Sequence, residues 1–101
     1  MLNLRQKIDN LGDWLHKDIE MGHMKEVEAQ VGDIYNHLLG FINDYKNDRV
    51  MNNGAFEHLL AMKEDIQNNM SSLVEVQEVD AFKTNLLSLV KNLNNSMRKI
   101  V

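Results

Sequence analysis

The chain has 101 residues, 44% hydrophobic and 26% charged, with 15 acids, 11 bases and a formal net charge of −4. That length fits one domain around one core, and the apolar content excludes a disordered chain. Cysteine is absent, which removes disulfide and thiolate chemistry and leans towards a reducing compartment.

Proline is absent too, and large apolar side chains recur every three or four positions through most of the sequence. Such spacing lines one face of an α-helix and forces that face against another helix. The first predicted helix spans residues 2–20, with Leu4, Ile8, Leu11 and Leu15 stepping by 4, 3 and 4. Gly22 then suits the left-handed residue that closes many helices.

The second predicted helix spans residues 24–46. Its stripe of Met24, Val27, Val31, Ile34, Leu38, Phe41 and Tyr45 keeps the 3–4 alternation without a fault. Gly32 and Gly40 lie inside it, each costing up to about 1 kcal/mol against alanine. Eight residues apart, they share one side of the helix, and the expectation is that a neighbouring helix approaches closely there.

Asn47-Asp48-Arg49-Val50-Met51-Asn52-Asn53-Gly54 is the clearest break, rich in residues that favour turns. The third predicted helix follows at residues 55–69, with Phe56, Leu59, Met62, Ile66 and Met70 as its stripe. Ser72 and Glu75 form a capping-box pattern that would start a long fourth helix over residues 73–99. The alternative is an irregular stretch through Val79, with Asp80 capping a shorter helix. The last stripe reads Val79, Phe82, Leu86, Val90, Leu93, Met97 and Ile100.

Stripe width separates a two-stranded coiled coil from a compact bundle. A coiled coil needs only a narrow seam, whereas here Leu87 and Leu89 flank the last stripe, and Trp14 and Ile42 widen the first two. The sequence therefore predicts an all-α fold with residues 1–101 as a single helical domain. Its form is a four-helix antiparallel bundle, or two helical hairpins completing a bundle as a dimer. Leu39 and Leu60 fall off their stripes and Trp14 is the lone tryptophan, so these three are the candidate partner-binding residues. Trp14 has a second reading, as a seal at the edge of the core.

Glu20 and His23 have the E-x-x-H spacing that projects a carboxylate and an imidazole from one helix face in di-iron bundles. Asp13 with His16, and Asp33 with His37, are looser relatives. Gly22 is expected to break the helix inside the best match, so surface histidines beside surface acids are the expectation, with no metal or cofactor. No phosphate loop, zinc-protease motif, nucleophile elbow or cysteine nucleophile occurs, so the chain reads as a non-enzyme.

The charge is uneven: residues 1–80 carry all 15 acids and net −8, while residues 81–101 carry Lys83, Lys91, Arg98 and Lys99 and no acid. Cations near a helix C-terminus complement its dipole. Lys91, Asn92, Asn95, Arg98 and Lys99 would also suit a nucleic-acid reader. Against this, the acidic whole and the long helices make nucleic acid an unfavoured partner.

The N-terminus lacks the apolar run of a signal peptide. The longest apolar run, Leu59-Leu60-Ala61-Met62, is far short of the roughly 20 residues that span a bilayer. The expectation is a cytoplasmic protein without membrane association. Thirteen asparagines, no proline and more lysine than arginine point to an AT-rich coding sequence, as in many phages and low-GC bacteria.

The expected function is a small regulatory or adaptor protein that docks a helical face on a protein partner, with homodimer formation expected. Two alternatives stay open. One is an acidic inhibitor occupying a nucleic-acid-binding cleft of its target, as some phage proteins do. The other is a metal-binding helical-bundle enzyme.

Overall fold

The computed structural model describes residues 2–48 and 53–100, with side chains over 3–46 and 55–100. Four α-helices follow in order: α1 Leu2–Asp13, α2 Met21–Asp48, α3 Asn53–Glu75 and α4 Val79–Ile100. A 3-10 turn, Trp14–His16, extends α1. No strand occurs among the described residues. The fold is an all-α four-helix bundle.

Contacts between neighbouring helices fix their directions. Lys7 pairs with Asp33 and Trp14 with Gln30, so α2 runs back along α1. Gln67 reaches Tyr35, and Phe56 stacks on Tyr45 with ring centroids 4.3 Å apart, so α3 runs back along α2. The place where a Cβ would sit on Gly12 is 3.5 Å from Val90, which brings α4 against α1 and closes the bundle. The molecule measures 42 × 22 × 17 Å. At about 1.5 Å per residue the 28 residues of α2 span its full length.

The core is the set of stripes turned inward. Leu4, Ile8 and Leu11 come from α1, and Val27, Val31, Ile34 and Leu38 from α2. Leu59, Met62, Ile66 and Leu73 come from α3, and Phe82, Leu86, Leu89, Leu93 and Met97 from α4. Among the described residues no polar or charged residue is buried with them. The stripes wander at their ends. Trp14 replaces Leu15 inside, and Ile42 is buried where Phe41 and Tyr45 are only half-buried. Leu89 widens the α4 stripe as expected, while Leu87 faces solvent.

Four boundaries differ from the sequence reading by three residues or more, where burial overrides a local signal. The first helix stops at Asp13 rather than residue 20. Trp14 and Ile19 are both buried, yet five helical steps would set them about 140° apart. The chain opens at Lys17, which is extended (φ −110°, ψ 157°), and both side chains then reach the core. Gly22 accordingly lies in the first turn of α2 and does not close α1.

At the other end α3 runs through Ser71 and Ser72 to Glu75, so their capping box starts nothing. Leu73 stays in phase with Ile66 and Met70 and is fully buried, which continues the helix. The shorter alternative for the fourth helix is the observed one, beginning at Val79 with Asp80 in its first turn. Asn85 donates to the carbonyl of Ser72 at 3.3 Å, satisfying one of the last α3 carbonyls that lack a helical partner. Of the Asn-rich break, residues 49–52 lie outside the described residues.

Candidate interaction surface

The start of α2 explains the E-x-x-H pattern without a metal. The backbone N–H of Glu20 donates to Nδ1 of His23 at 3.2 Å, and the N–H of His23 donates to the carbonyl of Glu20 at 2.9 Å. His23 thus fills the third-position role of a capping box, closing the N–H that precedes the helix. Glu20 sits outside α2, so the two side chains do not project from one helix face. Among the described residues no group of three or more His, Cys, Asp or Glu could hold a metal ion.

The same corner fixes Trp14. Its indole N–H donates to Oε1 of Gln30 at 3.2 Å, His23 packs 5.3 Å from its ring, and the Lys17 ammonium lies 4.8 Å over it. The side chain is only 7% exposed, and it seals the core between α1 and α2.

Leu39 and Leu60 lie elsewhere, along the seam between α2 and α3. Gly32, Tyr35 and Leu39 share one flank of α2 by their spacing of 3 and 4. Leu60, Lys63, Gln67, Met70 and Val74 form the facing row of α3 by the same rule. Leu60 is half-buried against the core, whereas Leu39 is 37% and Val74 53% exposed.

A groove of about 250 Å³ opens in this seam, lined by Gly32, Tyr35, Ile66, Gln67 and Met70. Its one polar link is the 2.9 Å hydrogen bond from the Gln67 amide to the Tyr35 hydroxyl, which leaves the walls apolar. The structure therefore places Leu39 and Leu60 on one seam and Trp14 on the opposite, α1 side of α2. Gly32, Tyr35 and Met70 were not singled out in sequence as surface residues. The available signal was Leu39 itself, read back three and four positions.

The two glycines do not serve close packing within the chain. Among the described residues a Cβ at Gly32 or Gly40 would meet nothing within 4 Å, so no described neighbour uses the space. Gly40 joins Asp33, Asn36, His37, Phe41 and Asp44 around a second shallow concavity on α2.

Electrostatics divide the surface. The Lys7 ammonium, hydrogen-bonded to Asp33, holds that carboxyl below its ordinary range. Asp65 moves the other way, raised by partial burial and by the neighbouring Glu64. Arg5 of α1 joins Lys91, Asn94, Asn95 and Arg98 of α4 around a cationic groove of about 520 Å³. Arg98 there donates to Asn95. No helix among the described residues is long and apolar enough to cross a membrane. The chain matches no protein-family model, no curated protein and no solved structure.

Proposed function

We propose that this chain is a non-enzymatic regulatory or adaptor protein that works by docking the α2–α3 face on another protein. The observation that carries the reading is the apolar groove of Gly32, Tyr35, Ile66 and Met70 with exposed Leu39 one turn away. Ile66 belongs to the core and Tyr35 and Met70 pack against it, whereas Leu39 is exposed and lies outside that core. A helix seated in such a groove gains affinity from burying aliphatic and aromatic anchors. Acids over the first three helices would steer it towards a basic partner surface. The cysteine-free composition suits a cytoplasmic setting.

The acidic-inhibitor alternative has one observation in its favour. Glu26, Asp33 and Asp44 fall on one flank of α2 by their spacing. Along the helix they stand about 10 and 16 Å apart, whereas duplex DNA carries one charge per about 1.7 Å. Asp33 is also engaged by Lys7. Three sparse carboxylates imitate a phosphate backbone poorly, and the docking reading is the stronger.

Affinity capture from the native host, followed by mass spectrometry, tests the proposal. The wild-type chain should retain a stoichiometric partner that Leu39→Asp loses and Leu87→Asp, on α4, keeps. Equal retention by all three overturns the α2–α3 assignment. Retention that collapses between low and moderate salt while ignoring Leu39 favours the acidic inhibitor.

A further inference from the structure

The outward back of α2 carries Ala29, Gly32, Asn36, Gly40 and Asn43, at steps of 3, 4, 4 and 3. The steps read the same from either end, with Asn36 at the centre. An identical helix laid antiparallel about a two-fold axis at Asn36 would meet short side chains along about 20 Å. Gly32 would face Gly40 of the second copy, and Ala29 would face Asn43.

Small residues alone name no partner, but the flank towards α3 does. It carries both a projection and a recess. Leu39 stands three residues beyond Asn36, about 4.5 Å along the axis, and is exposed. Gly32 and Tyr35 form the α2 wall of the recess and centre about 4 Å before Asn36; Ile66 and Met70 form the far wall. A two-fold axis reverses direction along the helix while preserving the flank. It therefore sets each Leu39 over the other copy's recess, the reciprocity that an isologous interface requires. Gly32 leaves the space for it, since no neighbour among the described residues lies within 4 Å of where its Cβ would be.

In that register charge is favourable on one flank and unfavourable on the other. On the α3 flank, Glu28 lies eight residues before the centre and Lys46 ten after it, so the axis brings each beside its opposite. On the α1 flank Glu26 faces Asp44 of the second copy, with Lys25 between the two flanks. Each end of the interface thus mixes both signs, and the attractive pair lies on the flank that carries the groove.

We infer that α2 is a self-pairing surface. A second copy docks antiparallel across Asn36, and the Leu39 of each seats in the Gly32–Tyr35–Ile66–Met70 groove of the other. This rests on the same groove as the docking reading, for which the second copy and a foreign partner would compete.

The closing experiment uses the full chain in light scattering and a single introduced cysteine. Wild type should show twice the 11.7 kDa chain mass at high concentration. Gly32→Leu, which fills the recess from within its own chain, should remain folded by circular dichroism and become monomeric. Glu28→Lys should weaken the dimer, and adding Lys46→Glu should restore it. Asn36→Cys, on the axis, should form a disulfide-linked dimer on the order of 10-fold or more faster than Ser88→Cys on exposed α4.

A mass of one chain at every concentration overturns the self-pairing. So does a dimer indifferent to Gly32→Leu with equal cross-linking at positions 36 and 88. Either failure leaves the docking proposal to be judged by its own capture experiment, in which Leu39→Asp is compared on a foreign partner.

Discussion

Asp33 and Asp65 report opposite surroundings through the sign of their titration. The Lys7 partner lowers the folded-state pKa of Asp33 below its unfolded value. Its contribution is therefore present above the ordinary carboxylate pKa and is lost as pH falls through the lower folded value. Thermal melts should show wild type above Asp33→Asn at neutral pH, with the gap closing as pH drops below about 4. Burial raises Asp65 instead, so its charged form opposes folding above the ordinary range. Asp65→Asn should melt slightly higher than wild type at pH 7 and lose that advantage in acid. His23 gives a third test. Its ring accepts the N–H of Glu20, so His23→Ala should cost about 0.3–1.5 kcal/mol. Glutamine, the usual residue at that position of a capping box, should recover much of the loss.

At the scale of the helix, a side chain's phase decides its value. Leu38 and Leu93 are fully buried at the middle of their stripes, and truncating either to alanine should cost about 2–5 kcal/mol in chemical denaturation. Asn36→Ala, on the outward face, should cost little. Gly40→Ala should raise the stability of the single chain by about 0.5–1 kcal/mol, because glycine costs entropy in a helix and the new methyl group meets no described residue of its own chain.

The stripes made the bundle legible, since a 3–4 alternation sustained over Met24 to Leu38 has one structural meaning. The helix ends were less legible. Gly22 and the Ser72–Glu75 pair are sound local signals, but whether Ile19 and Leu73 find the core depends on where the neighbouring helices stand. The groove was half legible. Leu39 stood out as an apolar residue off its stripe, whereas the groove pairs Gly32 and Tyr35 with Ile66 and Met70 of another helix, and no spacing within one helix foretells that pairing.

For the whole molecule, interior and exterior are separate assignments. Among the described residues no buried side-chain polar atom lacks a hydrogen-bond partner, so the interior is settled within one chain. The outside is uneven, with an apolar seam on α2–α3 and a cationic groove between α1 and α4. Adjacent leucines let the two assignments be tested side by side, because Leu38 is fully buried and Leu39 is 37% exposed. The decisive measurement is a paired melt and binding assay on Leu38→Ala and Leu39→Asp. Leu38→Ala should melt well below wild type, while Leu39→Asp should melt close to it and lose association. A Leu39→Asp chain that unfolds as early as Leu38→Ala, or that associates like wild type, would contradict the account.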